Sequence, residues 1–305
     1  MEPVNLYTEN FFIVPRLKSL LKKFIHKEQR GPQAVLNGLL AGLSELGVPY
    51  RLNDKFPSAT AAVCVLSGVN TLAWAISQKH RGRIKKIVAG PTVALPKQAG
   101  GIIFNDAIDI FLVPSVWVAE FCDSFNPGFK NKTRVWAAGV KTENLDGKTQ
   151  RTGCLVYKKN IDDGTFSGII DILKHKGIAY EIVEYGHYDR QQYLKKLAKT
   201  KFMVFLSQSE SQGIALNEAW MMDVPTLVWN GSYVNLPDYV WKGSSPAPYL
   251  TEQCGMFFSG PGDLPAKLEL FLARLRDFKP RPYHLQNFTV AASAQNFIKI
   301  IKSLS

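Results

Sequence analysis

Two glutamates, Glu210 and Glu218, stand on either side of a glycine at the predicted start of a helix. The apolar run 202–206 is typical of a buried parallel strand, and it leads into a polar loop that ends at Gly213. The first backbone N–H groups of a helix have no partner within the helix, so they favour an anion or a row of hydroxyl groups. The pattern predicts a phosphate or sugar site beside two carboxylates.

Two lysines follow another predicted strand. Lys158 and Lys159 come directly after the apolar run 154–157. Ligands of open parallel sheets bind beyond the carboxyl ends of the strands, so these lysines are candidate cations for an anionic ligand. A pair of solvated lysines at a strand end is the alternative interpretation.

A glycine turn, Gly186 and His187, closes the run 181–185. His187 would donate a hydrogen bond to a ligand oxygen or, in the simpler interpretation, cap the turn. The sequence has no D-x-D motif, no G-x-S-x-G elbow, no G-x-x-x-x-G-K-[ST] loop and no cluster of histidines, cysteines and carboxylates. We therefore expect neither a catalytic metal nor a resident cofactor.

The elements that must position these residues alternate along the chain. Apolar runs, several of them apolar on both faces, predict parallel strands at 11–14, 61–66, 86–89, 108–113, 133–136, 154–157, 181–185, 202–206 and 226–228. Amphipathic segments predict helices at 34–46, 116–125, 166–176, 190–199 and 264–275, and a last helix is capped by Thr289. This order predicts an α/β fold with two doubly wound, Rossmann-like sheets.

The chain has 305 residues, which favours two domains. A polar run without apolar periodicity, 141–152, lies near its midpoint. We predict an N-terminal domain over 1–145 and a C-terminal domain over 146–285, facing each other across a cleft. The helical segment 286–305 is predicted to pack back on the N-terminal domain.

Several motifs together resemble one known family. The segment SESQGIALNEA at 209–219, followed by DVPT at 223–226, is similar to the E-x7-E signature of retaining glycosyltransferases of group 1, which have the two-domain GT-B fold. The segments DIFLVPSVWV at 109–118 and VWAAGV at 135–140 resemble the end of that family's first domain. The segment GPQAVLNGLLAGLSELG at 31–47 resembles its glycine loop and first helix, so the resemblance covers most of the chain.

The resemblance implies a nucleotide-activated sugar as co-substrate, transferred to an acceptor with retention of configuration and without a metal. It also implies that 1–145 is the acceptor-side domain and 146–285 the donor domain. It implies that Glu210 contacts hydroxyl groups of the donor sugar and that Glu218 contacts the ribose of its nucleotide. The candidate catalytic residues are Glu210 and Lys158, the latter toward the leaving diphosphate. The other implied positions are Lys159 toward the same diphosphate, the amides of Gly213, Ile214 and Ala215 toward sugar or phosphate, Gly186 and His187 toward base or phosphate, and Gly31 and Pro32 in the acceptor or phosphate loop.

The sequence departs from the family at two places. The family has a lysine five residues after the first cation, where this chain has Asp163, and many members have a histidine near the position of Gly90. These departures leave a second hypothesis open, in which the chain is a catalytically silent module that binds a nucleotide sugar or a polyanion. A sugar epimerase or phosphorylase of the same fold would be a third function, but it has no signature of its own here.

Composition and charge limit the location and the partners. Hydrophobic residues make up 46% of the chain and its formal net charge is +12, which is typical of a basic globular protein. The basic amphipathic segment 16–27 is predicted to be a helix that either packs on the N-terminal sheet or lies on an anionic membrane. Four widely spaced cysteines and no recognisable signal segment predict a cytoplasmic protein with reduced thiols. The expected acceptor is a polysaccharide, a lipid-linked sugar or another anionic molecule, and nucleic acid is not an expected partner.

Overall fold

The computed structural model describes residues 2–12, 31–55, 62–145, 150–231, 233–236 and 239–304. The chain divides into two compact units. Unit 1 contains Met1–Gly139 together with Val290–Ser305, and unit 2 contains Val140–Thr289. These divisions lie four to six residues from the sequence-based boundaries at 145 and 285. The basic segment 16–27 lies outside the described residues.

Unit 1 contains a six-stranded parallel sheet. Its strands are β1 (Val4–Tyr7), β2 (Tyr50–Leu52), β3 (Val63–Ser67), β4 (Ile87–Thr92), β5 (Ile110–Val113) and β6 (Thr133–Val135). Their order is β2-β1-β3-β4-β5-β6, and every neighbouring pair is parallel. The described helices of this unit are α1 (Gly31–Glu45), α2 (Val69–His80), α3 (Val116–Asp123) and, after unit 2, α9 (Val290–Lys302). Every residue of β3 and β5 is buried, as the apolar runs predicted.

The predicted strand at 11–14 is wrong in its described part. Glu9–Phe12 forms a single 3₁₀ turn, and the strand lies earlier, at β1. The aromatic ring of Phe11 packs against Tyr7 at 5.1 Å and against Trp74 of α2 at 4.5 Å between ring centroids. This aromatic cluster folds the chain back beyond the end of β1, so the apolar residues at 11–12 serve packing rather than a strand.

Two glycines let helix α1 approach its neighbours closely. A Cβ atom at Gly42 would lie 2.0 Å from the carbonyl oxygen of Val290 and 2.8 Å from the Cβ of Ala294, both in α9. A Cβ atom at Gly38 would lie 2.4 Å from the carbonyl oxygen of Gly139. The C-terminal helix α9 is therefore packed on α1 at a distance that only glycine allows.

We predict that Gly42→Ala destabilises unit 1 by about 1–3 kcal/mol, because the added methyl group overlaps backbone atoms that cannot move independently. Urea denaturation followed by circular dichroism measures the change. Gly31→Ala in the same helix is the matched control, since nothing lies within 4 Å of its added Cβ. Equal stability of the two variants would contradict the close helix contact.

Unit 2 contains a five-stranded parallel sheet and a separate hairpin. The sheet strands are β7 (Thr152–Lys159), β8 (Tyr180–Glu184), β9 (Thr200–Ser207), β10 (Thr226–Trp229) and β13 (Gly255–Phe258), and the antiparallel hairpin is β11 (Tyr233–Leu236) with β12 (Tyr239–Lys242). The described helices are α4 (Asp163–His175), α5 (Arg190–Ala198), α6 (Ile214–Met221), α7 (Leu264–Ala273) and α8 (Pro280–Asn287). The predicted fold class, two parallel-strand sheets with helices, is confirmed.

The strand order of unit 2 reverses beside β7. The order is β13-β10-β9-β7-β8, so the chain leaves β7 for β8 on one side and then crosses to β9 on the other. Unit 1 has the same reversal, since β1 lies between β2 and β3. The helices that follow the two central strands leave toward opposite faces at such a reversal, and a crevice opens at the carboxyl ends of those strands. In unit 2 this rule places the expected ligand position beyond β7 and β9.

No described helix is both long enough and apolar enough to cross a bilayer. The cysteines Cys64, Cys122, Cys154 and Cys254 are all buried and free.

Helix α8 carries a fully buried histidine. His284 has no exposed surface, and burial together with the nearby Arg281 guanidinium lowers its pKa from 6.5 to about 4. The unfolded chain therefore binds more protons than the folded chain between these two values. As pH falls through this window, keeping the imidazole neutral in the folded chain costs more and more free energy.

We predict that the free energy of unfolding of unit 2 falls by up to about 1.4 kcal/mol per pH unit as pH drops from about 6.5 toward 4, and that His284→Phe reduces this slope. Urea titrations across this range measure the slope. His175→Phe replaces an exposed histidine of the same unit and is the control. An unchanged slope in His284→Phe would contradict the assignment.

Candidate functional site

At the strand reversal of unit 2, the carboxyl ends of β7 and β9 lie side by side in register. Lys159 is the last residue of β7, Ser207 is the last residue of β9, and the two are direct partners in the parallel register. The loop after Ser207 carries Glu210 back over this edge before it reaches α6. The side chains that follow the two central strands therefore share one position in the fold.

Glu210 is held by a cation and a hydroxyl group. Lys159 Nζ lies 2.8 Å from Glu210 Oε1, and the Ser207 hydroxyl donates to the same oxygen at 3.1 Å. The Lys159 and Glu210 side chains are only 18% and 13% exposed. The backbone N–H of Glu210 also donates to the Ser245 carbonyl oxygen at 2.9 Å, which fixes the loop. This largely buried ion pair, with the Ser207 hydroxyl as an additional donor, holds one positive and one negative charge at fixed positions.

The two lysines at the end of β7 point to different partners. Lys159 also lies over the ring of Tyr185, with Nζ 4.5 Å from the ring centroid. Lys158 contacts Asp163 at 3.5 Å, Glu184 at 4.0 Å and the ring of Phe166 at 4.6 Å. Successive residues of a strand point to opposite faces, so the structure brings Lys159 to Glu210 and turns Lys158 toward α4 and β8.

Helix α6 begins with a residue that leaves its first amides open. Gly213 adopts a left-handed conformation with φ of 67° at the N-cap, and no side chain of the described residues caps the helix. Ile214 and Ala215 are only partly buried. The helix start therefore presents uncapped backbone N–H groups close in sequence to Glu210, as the sequence predicted.

Glu218 is more buried than a helix-surface charge would be. Its side chain is 8% exposed, and its Oε1 accepts a hydrogen bond from Arg190 Nε at 2.5 Å. Arg190 Nη1 donates to Glu143 Oε1 at 3.1 Å. Burial raises the pKa of Glu218, and the Arg190 guanidinium opposes that rise. The second glutamate of the motif is thus part of a three-residue charged cluster.

Two buried tyrosines, Tyr157 and Tyr193, and the partly buried Tyr188 lie near the glutamates. The Tyr188 hydroxyl donates to the Tyr157 hydroxyl at 3.1 Å, and the Tyr193 hydroxyl donates to the Ala215 carbonyl oxygen at 2.9 Å. Burial raises the pKa of Tyr188, and the charges of Glu218 and Glu210 raise it further. The tyrosine hydroxyls are therefore neutral hydrogen-bonding groups, and the charges of both Glu210 and Glu218 raise the pKa of the same one, Tyr188.

The remaining predicted residues belong to other elements than the Lys159–Glu210 pair. Gly186, with φ of 87°, and His187 form the turn after β8, where the His187 N–H donates to the Glu184 carbonyl oxygen at 3.1 Å. The His187 ring is 73% exposed and lies 3.4 Å from a Glu184 carboxylate oxygen. This geometry matches the turn-capping interpretation of His187. Gly31 and Pro32 begin α1 in unit 1, whereas the cluster around Glu210 is built from unit 2 alone.

The sequence reasoning missed Arg190, Tyr157 and Tyr188. Arg190 follows Asp189, whose side chain accepts a hydrogen bond from the Gln192 N–H and caps α5. The capping pattern locates the helix start, but it does not indicate which way the arginine points. The two tyrosines resemble ordinary core residues in the sequence, and only the fold places them beside the carboxylates.

No family model matches the chain, and no curated protein matches it. Solved structures with a similar fold exist. The apo form of the lipopolysaccharide outer core galactosyltransferase WaaB aligns over 100% of both chains, with a TM-score of 0.62 and 12% sequence identity. Sucrose-phosphate synthase from Thermosynechococcus elongatus aligns over 90% of this chain and 77% of its own, with a TM-score of 0.52 and 12% identity.

A third similar structure holds ligands. The pneumococcal O-GlcNAc transferase GtfA, in complex with UDP and GlcNAc, aligns over 86% of this chain and 59% of its own, with a TM-score of 0.52 and 12% identity. At these identities the likeness concerns the fold. The chain therefore has the α/β fold of GT-B glycosyltransferases, as predicted.

We predict that Lys159→Met and Glu210→Gln each destabilise unit 2 by about 3 kcal/mol, because each removes the opposite charge from a largely buried ion pair. The double variant should lose much less than the sum of the two. Lys158→Met on the neighbouring residue is the control and should cost less than about 1 kcal/mol, since its partner Asp163 is 94% exposed. A thermodynamic cycle by urea denaturation measures the coupling, and additive losses would contradict the pairing.

Proposed function

We propose that the chain is a glycosyltransferase that moves a sugar from a nucleotide-activated donor to an acceptor, with retention of configuration and without a metal. The Lys159–Glu210 pair at the strand reversal of unit 2 carries this proposal. A diphosphate needs a cation when it leaves, and a sugar is recognised through hydrogen-bond acceptors for its hydroxyl groups. The pair presents one of each beside the open amides of α6. The GT-B fold supports the same assignment.

The donor sugar and its phosphates would be bound at the edge formed by β7 and β9. Lys159 neutralises charge on the leaving diphosphate, and Glu210 accepts hydrogen bonds from sugar hydroxyl groups. The N–H groups at Gly213, Ile214 and Ala215 contribute further donors to the phosphate or the sugar. In this arrangement ligand phosphate replaces Glu210 as the partner of Lys159, which leaves a carboxylate oxygen for the sugar.

The nucleotide would extend toward Glu218. The buried Glu218 carboxylate accepts hydrogen bonds from ribose hydroxyl groups, and the turn at Gly186 and His187 borders the base or phosphate. Lys158 adds a second positive charge to the same edge, with a smaller share of the phosphate because Asp163 and Glu184 already bind it. The UDP and GlcNAc held by GtfA make UDP-sugars the first donors to test.

Transfer would proceed through a phosphate-assisted route. The departing diphosphate oxygen accepts the proton of the acceptor hydroxyl on the same face of the sugar, so the configuration is retained. Side-chain cations take the part that a metal takes elsewhere. The acceptor belongs to unit 1 in this proposal, where Gly31 and Pro32 begin α1.

We predict that the purified protein releases nucleotide from at least one UDP-sugar and that Lys159→Met and Glu210→Gln slow this release by about 10²-fold or more. Lys158→Met should cause a smaller loss. Lys174→Met removes an exposed lysine of α4 and serves as the control. A coupled assay for nucleotide release measures turnover. Equal turnover in the wild type, Lys159→Met and Glu210→Gln would reject these roles.

One observation favours the second candidate, a silent nucleotide-sugar-binding module. Asp163 stands where the family has a lysine, and here its carboxylate forms an ion pair with Lys158. That arrangement reduces the positive charge available to a leaving diphosphate. Binding of UDP without release of nucleotide from any donor, with or without acceptor, would identify this function instead of transfer.

A further inference from the structure

Arg190 stands at the end of a helix where a positive charge is least favourable. It is the first residue of α5, and the first turn of this helix contains no acidic residue. A helix N-terminus carries a partial positive charge, so an arginine there does not stabilise the helix. Its position must therefore be explained by its contacts outside the helix.

Those contacts are two carboxylates from different parts of unit 2. Arg190 Nε binds Glu218 Oε1 at 2.5 Å, and Arg190 Nη1 binds Glu143 Oε1 at 3.1 Å. Glu143 is also fixed through its backbone, because its carbonyl oxygen accepts a hydrogen bond from Arg281 Nη2 at 2.9 Å. The guanidinium is thus held at a set position between a buried carboxylate and a half-exposed one.

The Glu218 carboxylate is bound through one oxygen. Oε1 accepts from Arg190, and Oε2 accepts no hydrogen bond from the described residues. A guanidinium in this geometry both favours the charged form and fixes the plane of the carboxylate. The open oxygen can then accept a hydrogen bond from a ligand.

We propose that Arg190 is a positioning residue that holds Glu218 by one oxygen and keeps the other available to a ribose hydroxyl group, with Glu143 tuning its charge. This inference rests on the proposed function, because it deepens the role of Glu218 in nucleotide binding. Arg190 itself contacts no ligand in this scheme. Its influence passes through the ionisation and orientation of Glu218.

The two partners of Glu218 act on its ionisation in opposite directions. Arg190 stabilises the carboxylate, whereas the negative charge of Glu143 destabilises it. Removing the charge of Arg190 therefore moves the protonation of Glu218 to higher pH, and removing the charge of Glu143 moves it to lower pH. If Arg190 and Glu143 had only structural roles, their removal would not move the protonation of Glu218 in opposite directions.

The experiment measures UDP binding by isothermal titration calorimetry from about pH 4 to about pH 8.5. We expect Arg190→Gln to move the midpoint of the pH dependence upward by about one unit or more, with about tenfold weaker binding per unit below that midpoint. Arg190→Lys, which keeps the charge, should restore most of the affinity at neutral pH. Glu143→Gln should move the midpoint downward.

Lys195→Gln removes an exposed cation from the same helix and is the matched control for a general change in charge. Circular dichroism and thermal melting check that each variant folds. If Arg190→Gln does not fold, the downward shift in Glu143→Gln, a half-exposed residue, still tests the proposal. An equal loss of affinity at every pH in Arg190→Gln, or no shift in Glu143→Gln, would overturn it.

Glu218→Gln separates this inference from the proposed function. If Glu218→Gln binds UDP as tightly as the wild type, the ribose-binding role of Glu218 fails and this inference fails with it. If Glu218→Gln loses binding while the pH profile of Arg190→Gln matches the wild type, only the role of Arg190 fails.

Discussion

The reversal of strand order beside β7 is the constraint on which the site of unit 2 depends. In a parallel sheet each strand ends at the same edge, and only at a reversal do the connections on the two sides move apart and leave that edge open. The register then sets Lys159 against Ser207, and the loop from Ser207 places Glu210 over both. The position of the ion pair therefore follows from topology and register before any side-chain preference is considered.

The charged groups at this edge are compensated by neighbours within unit 2. The Glu210 carboxylate has Lys159 and Ser207, and the Glu218 carboxylate has Arg190, which is shared with Glu143. Burying an unpaired charge would cost several kcal/mol, so these contacts are a condition for folding. The buried tyrosine hydroxyls beside them stay neutral, and they supply polarity without adding charge.

Much of this arrangement could be predicted from the sequence, because it depends on local patterns. The apolar run before Gly213 and the polar loop that carries Glu210 located the strand, the helix start and the site edge. The choice between Lys158 and Lys159 could not be predicted, since it depends on which face each residue of β7 presents. The strand predicted at 11–14 was wrong for a related reason, because Phe11 packs on Trp74 instead of extending a strand. Arg190 was missed because its partners, Glu218 and Glu143, are distant in sequence.

In the proposed function, the ligand binds by exchange of partners, because the charges of the candidate site are already paired. When phosphate replaces Glu210 at Lys159, the gain is the difference between two charge-assisted contacts, and it is smaller than the energy of either contact alone. The Glu210 oxygen then keeps the Ser207 hydroxyl as a donor but loses the Lys159 ammonium group, and a sugar hydroxyl group would take the place of that ammonium group. Phosphate and sugar are thus coupled through a single ion pair, so a ligand that carries only one of them leaves part of the exchange incomplete. Under the proposed function, this coupling favours a whole nucleotide sugar over either of its parts.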